Sequence, residues 1–541
     1  MTIYALKSAR LRRLAATATI FLSSVACQAT AQDVTIRVSV FQQTIAENAA
    51  ENRGLATFYR QRDFQPVWTG AGDTFTERRR ALIAAIQRAP DHGLPLAAYD
   101  LSGLMEAMRT ARTGRDRALL DVRLSQTYLD FAADIQTGQL KPSDIAPGMV
   151  REVPLRDPAE YMAGITSDDP AAFLASLPPQ TAEYARLMRE KLALEALIKT
   201  GGFGPAVRAS SLKPGASGGD VIALRNRLIR LQYLPRSVAT EYDPQMEGAI
   251  MQFQADHGLP EDGVAGATTL QQINVPAQDR LKSVVVAMER ERWMNKDRGR
   301  RHVLVNLTDF HATIMEDDKV YFETRSVIGE NKSTHQTPEF SDVMEHMIIN
   351  PTWNVPRSIA VREYLPAFKR NPYSNGHLNL INSRGQVVDR GAVNFAAYTA
   401  RNFPFDLKQP PSSRNALGLV KFMFPNKYNI YLHDTPSKSL FARDSRAFSH
   451  GCIRLGDPFD FAYALLAWQT DDPEGYFKAR LNTGRETKVD LAEPLPVHLI
   501  YRTAVGQAKG HMTYRRDVYG RDALVWQALA RRGVELPEVQ G

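Results

Sequence analysis

The hydrophobic period of this chain changes once, just past Arg300. Before that point apolar residues recur at helical spacing, as in Leu119, Leu120, Val122, Leu124, Tyr128, Leu129 and Ala132, which is the pattern of an amphipathic helix. After it they alternate. Val303, Val305 and Leu307 form one such run, and 312–315 and 320–328 follow across a turn at Asp317-Asp318, which is the pattern of strands and a hairpin. Further strands are expected at 344–349, 430–432 and 497–504. Two periods in 541 residues, too many for one core, predict a multidomain α+β protein. Short strands gathered around one centre suggest a β-sandwich-like domain.

The helical half divides at its proline and glycine clusters. A mostly helical scaffold is expected over 34–208, interrupted at 142–147 and at Pro178-Pro179; Phe64 to Trp68 falls in a loop. A Gly-rich stretch, 201–219, leads into a compact three-helix module over 209–275. Its first stripe is Val221, Leu224, Leu228 and Leu231, and its second is Met246, Ile250 and Phe253. Asp243-Pro244 reads as an N-cap followed by proline at the first helical position, and Gly258 as a left-handed stop. A connecting helix is expected within 276–300. The β-rich domain spans 301–510, and 511–541 reads as a basic, partly helical tail. The 351–421 tract lacks a strong apolar period, so it reads as a loosely packed insertion, and long insertions are more often functional than idle.

The first 31 residues read as a secretory leader: a basic start (Lys7, Arg10, Arg12, Arg13), an apolar run over 14–26 and a small-x-small site at Ala29-Thr30-Ala31. The apolar run is shorter than the ~20 residues of a membrane span, so no stable span is expected in the mature form. The formal charge of +8 drops to near +4 without the leader. That is too little to indicate nucleic acid, and it suits loose attraction to an anionic wall. Of two cysteines, Cys27 lies in the leader, leaving Cys452 alone. A lone thiol in an oxidising compartment is either buried and inert or reactive.

The surroundings of Cys452 favour reactivity. Residues 433–455 read HDTPSKSLFARDSRAFSHGCIRL, with His433 19 positions before the cysteine and His450 two before it. A free thiol of pKa about 8.5 is only a few per cent thiolate near neutrality, so a nucleophilic cysteine needs a proton acceptor beside it. His433 is the candidate base, with His450 as the alternative. Gly451 allows close approach of substrate and backbone amides. Arg454 suits a substrate carboxylate. A metal cage of His433, Asp434, His450 and Cys452 has plausible ligand types but would consume the nucleophile, so no metal or other cofactor is expected.

His-x(15)-Ser-His-Gly-Cys-x-Arg resembles the signature of the L,D-transpeptidases with a YkuD-type catalytic domain. The resemblance extends over nearly the whole chain and is strongest to large periplasmic members. Phe253, Gln254, His257, Gly258, Leu259, Asp262, Gly263, Gly266, Thr269 and Leu270 resemble a peptidoglycan-binding module. The resemblance implies Cys452, His433, His450 and Gly451 as catalytic residues. In this reading the Asp434 carbonyl orients His433, and His450 with the N–H groups of Gly451 and Cys452 stabilises an oxyanion. Asp434 stands where many members have Gly or Ser, and its carboxylate could hold the imidazole more positively charged. Arg454, Ser449, Asp434, Trp353 and Asn415 are the implied substrate-binding residues, and 351–421 resembles a lid subdomain. The implied reaction is attack on the meso-diaminopimelate–D-Ala bond of a stem tetrapeptide and transfer of the acyl group to an amine. The amine belongs to a second stem, giving a 3→3 cross-link, or to an envelope protein. The implied partners are peptidoglycan stem peptides and glycan, in the periplasm. A cysteine hydrolase of wall peptides and a non-catalytic wall-binding protein are the competing readings.

Overall fold

A computed structural model describes residues 38–507 and 510–538. The expected leader, 1–31, lies outside the described residues. Among those described, no helix is long and apolar enough to cross a membrane.

Helices fill the chain from Val40 to Lys199. The longest, Gly114–Thr137, starts at a capping box in which Thr113 and Asp116 satisfy each other's backbone amides. Its Asp121 is fully buried. That carboxylate accepts hydrogen bonds from the amides of Val67, Trp68 and Thr69 at 2.8–3.0 Å and from the Tyr59 hydroxyl at 2.6 Å. A buried carboxylate is tolerable only when so fully bonded, and here it pins the loop that carries Trp68 into the core.

The three-helix module comprises Gly219–Arg230, Pro244–Asp256 and Ala267–Ile273. Asp243 caps its second helix by accepting from the Met246 amide, and Gly258 ends it at φ +63°. Gln254 is buried and its side chain bonds Asp262, Gly263, Val264 and Thr269, so it holds the following turn together.

The connecting helix, Ala277–Trp293, differs from expectation at its end. Glu289, Arg290, Glu291 and Arg292 are all buried. Arg290 pairs with Glu339 and Asp522, Arg521 also pairs with Glu339, and Glu291 pairs with Arg298 and Arg502. Arg292 pairs with Glu289 and donates to the carbonyl of His92. Charges that would face solvent on a lone helix instead tie the scaffold, the β-rich domain and the C-terminal segment together. The pairing offsets a desolvation cost of several kcal/mol per ion.

The strands are β1 (Arg301–Asn306), β2 (His311–Glu316), β3 (Lys319–Gly329), β4 (Ser341–Ile349), β5 (Trp353–Asn354), β6 (Asn379–Ile381), β7 (Asp406–Gln409), β8 (Val420–Met423), β9 (Leu432–His433), β10 (Ala447–Ser449), β11 (Ile453–Leu455), β12 (Thr487–Ile500), β13 (Ala504–Gly506) and β14 (Met512–Tyr514). The main sheet has the order β10-β3-β11-β9-β8-β4-β12-β1-β2, and β2 also pairs with β3, which closes the sheet on itself. Val303, Ile314, Met347, Phe422, Leu432, Ile453 and Leu499 fill the enclosed core. Asp317 and Asp318 both have positive φ (49° and 59°), the two-residue turn that matches strand twist. β12 begins ten residues before the expected strand because Pro494 and Pro496 obscure its alternation, and its pairing with β4 is irregular between Asp490 and Leu495.

The insertion is more compact than its sequence implied. β5, β7 and β6 form their own sheet, and Trp353, Leu365, Phe368, Leu380, Phe395, Phe403 and Leu407 form a separate core. Aromatic packing across short irregular segments leaves no readable period. The C-terminal segment is also integrated: β13 and β14 pair, and the helix Arg521–Arg531 brings Arg521 and Asp522 into the buried ionic cluster.

Candidate active site

Cys452 sits in a tight turn between β10 and β11. Gly451 has φ +120°, and a Cβ there would lie 3.2 Å from Ile430 Cδ1, so both conformation and space call for glycine. The Ser449 hydroxyl donates to the Cys452 carbonyl and accepts from the Gly451 amide. The Thr337 hydroxyl donates to the Gly451 carbonyl at 2.7 Å. The turn is therefore held from both sides before any ligand arrives.

β9 runs parallel to β11, with His433 in register with Arg454 and Leu432 with Ile453. This pairing brings the two halves of the 433–455 stretch together. His433 is buried, and its Nδ1 faces the Asp434 carbonyl. Nδ1 therefore carries the proton and Nε2 is the basic nitrogen. Burial, with Arg454 beside the ring, pushes His433 down to about 3. Burial pushes the Cys452 thiol up to about 11, against the opposing effects of Tyr431, Arg454 and Lys421. The resting pair is thus a neutral thiol and a neutral imidazole. The thiol donates to the Asn429 carbonyl at 3.4 Å.

Both residues line a cavity of about 730 Å³ beneath the insertion. Arg454 also lines it, with Nε buried and unpartnered among the described residues. Trp353 and Tyr431 line it too, and Tyr431 beside the sulfur favours the charged thiolate.

Other expected contacts are committed to the protein's own groups. Asn415 is fully buried outside the cavity. Its amide donates to the carbonyls of Pro351, Gln409 and Pro410 and accepts from Leu417, so nothing is left for a ligand. The Asp434 carboxylate is likewise buried on the amides of Leu419 and Thr435 and on Lys438. It neither faces a ligand nor charges His433, whose pKa is lowered. The Ser449 hydroxyl is spent on the turn, and the Gly451 N–H on Ser449, which removes that amide from an oxyanion site. His450 turns outward to Glu363 of the insertion, Nε2 to Oε1 at 2.7 Å.

Tyr431, Asn429, Glu363, His335 and Thr337 were not anticipated. Tyr431 was within reach of sequence reasoning, since it lies two residues before His433 and strand periodicity puts both on one face.

Three stretches of the chain match described families. Residues 300–488 match the L,D-transpeptidase catalytic domain of the YkuD family, 217–273 match a family described as "Putative peptidoglycan binding domain", and 53–190 match a scaffold domain. A relative from Haemophilus influenzae named "Putative L,D-transpeptidase" is 30% identical over 226 residues, which is 41% of this chain and 44% of the relative's length. The match therefore spans less than half of that relative. A crystal structure of an L,D-transpeptidase from Xylanimonas cellulosilytica is 15% identical, covering 55% of this chain and 99% of that one. Its TM-score of 0.17 is too low to bear on the fold. Residues 300–488 are an L,D-transpeptidase catalytic domain of the YkuD family, carried in one chain with a peptidoglycan-binding domain.

Proposed function

We propose that the chain is a peptidoglycan L,D-transpeptidase with Cys452 as nucleophile and His433 as general base. The observation that carries this reading is the neutral Cys452–His433 pair lining one cavity, with His433 Nδ1 committed to the Asp434 carbonyl. As the sulfur attacks the carbonyl between meso-diaminopimelate and D-Ala, its proton passes to His433 Nε2. The C–N bond then breaks, D-Ala leaves as the amine carrying that proton, and a thioester remains. An acceptor amine attacks the thioester, gives its proton to His433 and displaces the sulfur, which regains the proton.

The Cys452 N–H and His450 remain as oxyanion donors, His450 only after release from Glu363. Arg454 would take a carboxylate of the stem peptide. The three-helix module would hold the chain on the wall, and export to the periplasm would place it there. The acceptor is a second stem peptide or an envelope-protein lysine. A hydrolase would release the acyl group to water alone. Incubating the chain with a wall tetrapeptide and an amine, then weighing the products, separates the two. Transfer product is expected, and hydrolysis product alone would support the hydrolase.

A further inference from the structure

The mouth of the same cavity holds a second constellation. His335, Glu363 and His450 each offer a ligand atom, and these atoms lie within 4.8 Å of one another. His335 belongs to the loop after β3, His450 precedes the nucleophile by two residues, and Glu363 comes from the insertion. From sequence, His335 reads as an ordinary surface or core histidine. We propose that His335, Glu363 and His450 form a zinc site that clamps the insertion onto the nucleophile loop.

The donor set is two imidazoles and one carboxylate, which suits zinc bound by three protein ligands with a fourth position open to water. Small side-chain rotations would bring these atoms to Zn–N and Zn–O distances of about 2.0–2.2 Å. The imidazoles are already close, with ring centroids 4.3 Å apart.

Each ligand is also placed from behind. His335 Nδ1 faces Glu330 Oε2 at 3.3 Å, the carboxylate–histidine arrangement that orients metal-binding imidazoles and leaves Nε2 for the ion. Glu330 is itself paired with Lys332. The His335 loop lies so close to β3 that a Cβ on Gly329 would meet the His335 carbonyl at 1.9 Å. Glu363 stands in a π-helical turn, Ala360–Tyr364, a form often retained at functional sites. His450 is fixed by the turn that Gly451 and Ser449 make.

An ion bound there would add a three-way tie to the Glu363–His450 and His335–His450 contacts and to the Thr337–Gly451 bond that already joins the loop after β3 to the nucleophile loop. It would keep His450 turned away from the reacting carbonyl and hold the insertion closed. That consequence rests on the proposed acyl transfer, but binding of the ion does not.

The test is therefore one of binding, with tag-free full-length Cys452→Ala chain so that the thiol cannot be the ligand. Calorimetry with zinc chloride should give one ion per chain and a higher melting temperature. In the same background Glu363→Gln and His335→Ala should each weaken binding at least tenfold, while His311→Ala, a histidine remote from the cluster, should not. All three side chains are at least partly exposed, so the variants should fold, which melts without zinc will check. Absence of binding, or binding unchanged by both Glu363→Gln and His335→Ala, would overturn the site. Because no turnover is measured, neither result depends on the acyl-transfer reading.

Discussion

Thr337 donates its hydroxyl proton to the carbonyl of Gly451, 2.7 Å away, and accepts the Gly329 amide with the same oxygen. Its own amide donates to the Tyr519 hydroxyl, which donates in turn to the Gly329 carbonyl. A residue near the C-terminus thus supports the strained turn beside the nucleophile through one buried threonine.

Thr337→Val keeps the shape and removes these bonds. Two buried backbone groups lose a partner, at about 1–3 kcal/mol each. Acyl transfer should fall about tenfold while the melting temperature drops by only a few degrees. Steady-state rates and thermal melts measured side by side check this, and unchanged transfer would show that the turn holds without Thr337.

Tyr431→Phe addresses the sulfur. Tyr431 lies beside the thiol in the same cavity and favours its charged form. Removing the hydroxyl takes away that support, so alkylation of Cys452 at pH 8 should slow severalfold. An unchanged alkylation rate would remove Tyr431 from the account.

How much of this was readable beforehand varies by residue. That Cys452 and His433 would meet was legible because they fall within 20 consecutive positions at fixed spacing. The helical module was legible because its caps, Asp243 and Gly258, are local signals. Asn415, expected at the substrate from the resemblance, is instead buried with its amide committed to the backbone. The meeting of Glu363 with His450 was not legible, since 87 residues separate them and only the packing of the insertion joins them. The burial of Glu289 through Arg292 was hidden for the same reason: their partners Glu339, Arg502 and Asp522 lie far along the chain.

That buried cluster gives a stability prediction. Glu339 lies between Arg290 and Arg521 and is almost wholly buried. Glu339→Gln preserves the shape but leaves two guanidinium groups short of a counter-charge. Removing one partner of a buried pair costs about 3–5 kcal/mol, and urea unfolding should shift by that much. A shift under about 1 kcal/mol would mean that solvent reaches the cluster.

The buried histidines set the acid limit. Burial pushes His433 and His498 each down to about 3, while an unfolded histidine titrates near 6.5. Between those values the unfolded chain binds more protons than the folded one. Their contribution is therefore complete above about pH 6.5 and is lost as pH falls toward 3, at up to about 1.4 kcal/mol per pH unit for each residue. Unfolding midpoints at pH 7.5 and 5.0 should show this loss, and His498→Gln should reduce the difference. An equal slope in that variant would contradict the assignment.

The most direct test of the central claim is the intact mass of the chain after brief mixing with a wall tetrapeptide and acid quenching. Acyl transfer through Cys452 predicts a mass increase equal to the tetrapeptide less D-Ala, located on Cys452 by peptide mapping, removed by hydroxylamine and missing from Cys452→Ala. An adduct on another residue, or transfer that persists in Cys452→Ala, would contradict it.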